Sequence, residues 1–278
     1  MTIIQTLILG FVQGITEFLP VSSSLHLRLT SEILGCEIDT LYSAVIGLGT
    51  TIAGFVYFRK EVITILYSLI KCLKGYEGLT LKSRFLPKDK DARMGWGIIY
   101  ASIPVIFIGA VFGDSFEQYN TYLLSGIFLA IFGIVLFLTD KYCSKKRKFD
   151  SWNIRDAFFV GIIQVLALFP GVSRSGSTIT AGLFLGYNRF AATKFSFLMM
   201  LPIGLGSSIY EIIKYGDTIT TPTLILMLIG ATCSLLVGYI VINCMLNLII
   251  KYSFHYIVLY RVLLGILIVI LSLLKVLV

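Results

Sequence analysis

The sequence predicts an all-α integral membrane protein made of two inverted-topology repeats, each a re-entrant helix pair plus three transmembrane helices. Three observations predict it. Of the 278 residues, 57% are hydrophobic and 14% charged, with a mean hydropathy of +0.90; an average soluble domain carries about 25% charge. Apolar runs of near-spanning length recur along the chain. One pattern of glutamine and serine also occurs twice inside apolar surroundings.

The elements follow in chain order. Ile3–Leu19 is apolar and runs into the break "FLPVSSSLH". Tyr42–Phe58 is the first candidate span without such a break, given that a membrane helix needs roughly 20 mostly apolar residues, with a range of about 17–25. Residues 59–95 are basic and mixed in charge, and 71–93 read as a cytoplasmic amphipathic arm. Trp96–Phe112 and Leu123–Thr139 complete a first half over residues 1–145. Ala157–Phe169 then runs into a second break, "FPGVSRSGST", and Phe195–Ile213, Thr223–Cys244 and Ile257–Leu274 complete a second half over 150–278.

The repeat is visible in the letters. "GFVQ" at 10–13 resembles "GIIQ" at 161–164, and each glutamine stands nine residues before a serine, Ser22 or Ser173, an offset of 151. "IGLGTTI" (46–52) matches "IGLGSSI" (203–209) at an offset of 157. One such match is within chance for a chain rich in Gly, Leu and Ile; two in the same order indicate duplication. Three spans per half invert the second half, and the charges test this. The loops then inside (59–95, 140–156, 186–194, 247–254) hold 18 Lys and Arg against 3 in the outside segments, a positive-inside pattern. Inverted repeats with broken helices place a binding site near the bilayer midplane.

Several classes are set aside. The formal charge of +8 sits in connecting loops, which points to a membrane surface and not to nucleic acid. No basic residue precedes Arg28, and Glu17 interrupts the first apolar run, so that run does not read as a signal peptide. The five cysteines are scattered with no C-x-x-C pair, which indicates neither a disulfide framework nor a metal knuckle.

The two breaks carry the chemistry. Each has the order apolar helix, proline, serine-rich helix start; proline ends a helix and serine favours its N-cap. A helix beginning there turns free N–H groups and its positive end into the break, which suits phosphate. Gly171 and Gly176 allow backbone to approach a ligand. Arg174, between Ser173 and Ser175, adds a guanidinium, the group that grips a phosphoryl in two places; its cost in hydrocarbon calls for an anionic partner. Gln13 and Glu17, like Ser22 and His26, are four apart and share a helix face, with Ser23 three before His26. Plainer roles exist for all of them. Glu17 and Arg174 could form a structural ion pair, His26 could be a packed helix residue, and Ser22 and Ser24 suit capping. Gln13 and Gln164 suit helix ties, His255 an interface position, and Tyr and Trp near span ends a belt.

"QGITEFLPVSSSLH", "FPGVSRSGSTI" and "FSFLMMLPI" closely resemble the undecaprenyl-diphosphatase family, also called the bacitracin-resistance protein family, over essentially the whole chain. The resemblance implies a multi-pass enzyme of the bacterial cytoplasmic membrane with two inverted halves. Such an enzyme removes the terminal phosphate of undecaprenyl diphosphate at the outer face, recycling the carrier lipid for peptidoglycan and the cell wall. Residue by residue, Glu17 matches the second acid of the family's first motif, Ser23 its candidate nucleophile, His26 its histidine and Arg174 the arginine of the second motif. Gln13 stands where the first acid usually is, and Leu25 where a glycine usually precedes the histidine.

On this reading Glu17, Ser23, His26 and Arg174 are catalytic. Gln13, Ser22, Ser24, Ser173, Ser175 and Gly176 bind substrate, and Glu17 holds a divalent cation, Mg²⁺ or Ca²⁺. The partners are a polyprenyl diphosphate and the bilayer, with a homodimer allowed. Either Ser23 attacks phosphorus or water does; the sequence leaves both open. A lipid phosphate transporter would use the same midplane anion site, but not a hydroxyl, acid and histidine set. A structural scaffold would leave Arg174 unexplained.

Overall fold

The computed structural model describes residues 1–74, 84–218 and 220–277. Residues 75–83 of the expected arm lie outside the described residues. Everything described is helix, turn or loop, apart from a single bridge between Arg147 and Tyr187. Six helices are long and apolar enough to cross a membrane: α3 (Thr40–Tyr57), α5 (Lys90–Glu117), α6 (Tyr122–Tyr142), α9 (Arg189–Tyr215), α10 (Thr221–Lys251) and α11 (His255–Leu273). Each covers its apolar run to within the last residue and begins one to six residues earlier than hydropathy suggests. The reason is capping: Asp39, Asp89, Thr121, Asn188 and Thr220 each accept a backbone N–H of the first turn, so the helix starts at the polar cap and not at the first apolar residue.

Two helix pairs are shorter. The first is α1 (Ile3–Thr16) with α2 (Ser23–Ile33); the second is α7 (Ile154–Gln164), a 3₁₀ turn over Val165–Leu168, and α8 (Arg174–Phe184). Gln5 Nε2 near the start of α1 donates to Leu34 O just past the end of α2 at 3.0 Å. In the second pair, Tyr187 beyond α8 donates to Asp156 at the start of α7 at 2.7 Å. Each pair therefore leaves the bundle where it entered. The amphipathic α4 (Arg59–Leu73) packs its buried Ile65 and Leu69 against Gly95 of α5, so the described part of the arm lies along the bundle.

The helices cross closely where glycine removes the side chain. A Cβ on Gly10 of α1 would lie 2.5 Å from Gly230 O of α10, and one on Gly161 of α7 would lie 2.3 Å from Ala101 O of α5. These are the glycines of "GFVQ" and "GIIQ". Small residues give membrane helices such contacts, where no hydrophobic drive between helices exists. Loops meet in two groups at opposite ends. At one end Lys194 pairs with Glu61 (2.9 Å), Arg189 with Asp140 (2.6 Å), and Arg93 Nε donates to Trp152 O (3.0 Å). At the other, Arg28 donates to Asn120 O (2.8 Å) and Tyr122 to Glu32.

Candidate active site

The two breaks meet inside the bundle. In the first, α1 ends at Thr16 and a turn over residues 17–21 leads to α2 at Ser23. This is earlier than the apolar run to Leu19 suggests, because Pro20 has no N–H to donate to Thr16 O four residues back. In the second, the 3₁₀ turn gives way to Pro170 and Gly171 before α8 starts at Arg174. Ser22 and Ser173, the two serines nine residues after the repeated glutamines, both take φ +73°. Positive φ is uncommon for a residue with a side chain and clusters where function fixes the backbone.

Glu17 is the hub. Its Oε1 accepts from Arg174 Nη2 of the other break, and its Oε2 accepts from Ser23 Oγ at 2.7 Å and Gln13 Nε2 at 3.1 Å. Arg174 Nη1 is buried and carries no hydrogen bond among the described residues. Ser175 Oγ donates to Leu19 O at 3.1 Å, a second tie between the breaks. A cavity of about 340 Å³ opens onto Glu17, Ser22, Ser23, Ser24, Ser173, Arg174 and Ser175. Its rim carries Phe116 and Phe169, edge to face at 5.0 Å. A second cavity of about 480 Å³ reaches Glu17, Ser23 and Ser24 from the side of Gln13, Asp39 and Arg28.

Of the residues named from sequence, Gln13, Glu17, Ser23 and Arg174 are brought into one bonded cluster. Ser22, Ser24, Ser173 and Ser175 line the same cavity. The other named residues stand outside this cluster or make different contacts from those expected. His26 does not join Ser23 or Glu17: its Nδ1 lies 2.8 Å from Ser22 O and its Nε2 2.6 Å from Tyr260 Oη. A carbonyl only accepts, so Nδ1 carries a proton and donates to Ser22 O; in the neutral ring Nε2 then accepts from the tyrosine hydroxyl. His26 lines neither cavity, because its ring is stacked on Tyr260, centroids 5.7 Å apart.

Gly176 is likewise away from the cavity. Its N–H donates to Ser173 Oγ at 3.1 Å, and a Cβ there would meet Arg261 Nη1 at 2.5 Å. Gly171 of the second break and Gly113 of α5 are the glycines that line the cavity. Ser22 sits at the N-cap position of α2 but makes no side-chain cap, whereas Ser173, at the same φ, does cap, onto Gly176. Gln164, also expected to tie helices, is fully buried with neither amide atom partnered among the described residues.

Sequence reasoning missed Tyr260 and Arg261 of α11. Arg261 is fully buried and donates to Leu129 O, Pro20 O and Val172 O. The signal was available: the cost of an arginine in hydrocarbon, applied above to Arg174, applies equally to this one inside an apolar run.

A metal has limited protein ligands. No group of three or more His, Cys, Asp and Glu stands together among the described residues. The cluster offers the Glu17 carboxylate and the buried, unpartnered amide oxygen of Gln13. Such a set fits a hard cation that keeps several waters and takes its other oxygens from a phosphate, as Mg²⁺ does.

Residues 6–267 match the family model described as bacitracin resistance protein BacA. A protein of Bifidobacterium animalis subsp. lactis named undecaprenyl-diphosphatase is 39% identical over 98% of this chain and 95% of its own length. A protein of the same name from Corynebacterium efficiens is 40% identical over 96% of this chain and 89% of its own. One from Renibacterium salmoninarum is 36% identical over 96% and 95%.

Proposed function

The chain belongs to the bacitracin resistance protein BacA family, and from that premise we propose that it is an undecaprenyl-diphosphate phosphatase, a hydrolase of the membrane. It hydrolyses undecaprenyl diphosphate to undecaprenyl phosphate and phosphate, which returns the carrier lipid to cell-wall synthesis and underlies bacitracin resistance. The observation that carries the reaction is the contact of Glu17 with Ser23 and with Arg174, an acid, a hydroxyl and a guanidinium from two breaks on one cavity.

The diphosphate enters the smaller cavity with its isoprenoid chain leaving past Phe116 and Phe169. Arg174 turns from Glu17 onto the terminal phosphoryl, and the free ends of α2 and α8 face it from either side. The buried carboxylate, now uncompensated, gains by taking the Ser23 proton, since an unpaired buried charge is costly. Ser23 Oγ attacks the terminal phosphorus, the bond to the bridging oxygen breaks, and undecaprenyl phosphate leaves. Water then attacks the phosphoserine, its proton passing to the phosphate that forms, and inorganic phosphate is released as protonated Glu17 returns its proton to Ser23 Oγ. Nucleophile and base stand within hydrogen-bond reach, as this route requires. His26, held off the cavity, fixes the Ser22 carbonyl and with it the entry of the break. A divalent cation would be held by Glu17 and the Gln13 amide oxygen, and would neutralise phosphate charge when bound.

The same reading makes residues 1–145 and 150–278 inverted repeats with their breaks paired at the midplane. What supports it is the shared φ of Ser22 and Ser173, the matching crossings at Gly10 and Gly161, and the return of each helix pair to its own end. It puts the Arg28–Asn120 end outside a bacterial cytoplasmic membrane and opens the site to the outer face. With the native cysteines replaced, a cysteine at Gln118 should react with an impermeant maleimide on intact cells, and one at Lys146 should not. The opposite labelling would overturn the orientation. All the reacting groups come from one chain, so a homodimer is not needed for chemistry.

A transporter would need the anion site but has no use for a serine bonded to an acid. Purified protein in detergent should therefore release phosphate from undecaprenyl diphosphate with no second compartment, and more slowly with EDTA. Absence of release in detergent, with lipid movement in vesicles, would favour transport.

A further inference from the structure

Arg261 is the largest fully buried side chain of the molecule. It forms no ion pair among the described residues. Its three donor nitrogens instead reach three separate segments: Nε to Leu129 O of α6 at 3.2 Å, Nη1 to Pro20 O at 2.7 Å, and Nη2 to Val172 O at 2.9 Å. Pro20 and Val172 belong to the two breaks, three residues before Ser23 and two before Arg174. One planar group thus spans both breaks, with α6 behind it.

From this we infer that Arg261 is a positioning residue: it sets the separation and register of the two breaks so that Ser23 and Arg174 meet one phosphoryl group. The inference rests on the function proposed above. A buried charge without a carboxylate is costly, and three carbonyl bonds to a charged donor offset part of that cost. The plane of the guanidinium is what matters. Its two Nη atoms lie at a fixed spacing, and the two breaks take their spacing from it. An ammonium is a single point on a flexible stem and imposes no such distance. The Glu17–Arg174 pair cannot do this work, because it opens when Arg174 turns to the substrate. Ser175 Oγ bonded to Leu19 O is neutral and lies at the cavity wall, so it adds to the tie without replacing it.

The test compares unaltered protein, Arg261→Lys and Arg261→Met in detergent with undecaprenyl diphosphate, reading kcat, KM and Tm. A misplacement of about 1 Å costs about 10²-fold in rate, so both variants should lose kcat on that scale. KM should stay within about threefold, since the groups that touch substrate are all present. A lysine variant with kcat within about threefold of the unaltered protein overturns the proposal. So does a variant in which KM rises and kcat stays, because the charge would then be acting in binding. If neither Arg261 variant folds, Gly133→Ala decides. Its Cβ would lie 3.1 Å from Arg261 Cβ and touches nothing in the cavity. A folded Gly133→Ala protein should lose kcat severalfold at unchanged KM, and normal turnover or failure to fold in that variant overturns the proposal as well. An unaltered protein that releases no phosphate would instead remove the proposed function itself.

Discussion

Arg174→Lys is expected to lower kcat by about 10²-fold or more, roughly 2.7 kcal/mol of transition-state stabilisation, in a protein that still inserts and folds. In the structure Arg174 does two things. Nη2 holds Glu17 Oε1, and Nη1 is buried with no partner among the described residues. An ion pair alone would use one arm, and lysine could supply it. A guanidinium with its second arm unpartnered on a cavity wall is suited to two phosphoryl oxygens in one plane, which an ammonium cannot match. Positioning and charge stabilisation carry most of phosphoryl transfer, so the loss should fall on kcat. The variant keeps its charge opposite Glu17, and Tm should change little. Near-normal turnover in Arg174→Lys would make the residue a counter-ion of Glu17 and nothing more.

The second large effect is expected at Ser23. Ser23→Ala removes the hydroxyl 2.7 Å from Glu17 Oε2 but leaves Arg174, the helix ends and the cavity in place. If Ser23 is the nucleophile, kcat should fall by about 10³-fold or more, the order found when a nucleophile is removed from a working set. KM should remain within about threefold, since the alanine takes away little that binds the ground state. A fall below tenfold would point to water as the nucleophile with Ser23 aligning it.

The spans and the breaks were legible in the sequence because each has a local cause. Apolar length decides a span, and proline followed by serines decides a break. Their exact limits were less legible, since caps such as Asp39 and Thr220 lie outside the apolar windows that hydropathy marks. The pairing of Glu17 with Arg174, 157 residues apart, could be anticipated from the cost of an arginine in hydrocarbon. What could not be read was direction. Helical spacing places His26 near Ser23, but spacing does not tell which way a ring turns, and here it turns to Ser22 O and Tyr260. Gly176 shows the same limit of spacing: the sequence marks it as a place of close approach, and the group that approaches it is Arg261.

The central claim is that Ser23, with Glu17 as its base, takes the phosphoryl group. The most direct measurement is rapid-quench trapping with substrate labelled in its terminal phosphate, followed by peptide mapping of the purified protein. The account predicts label on Ser23 that forms and decays at rates consistent with turnover, with none in Ser23→Ala. Phosphate released at the normal rate with no label on Ser23 at any quench time, and Ser23→Ala retaining most of its activity, would contradict it.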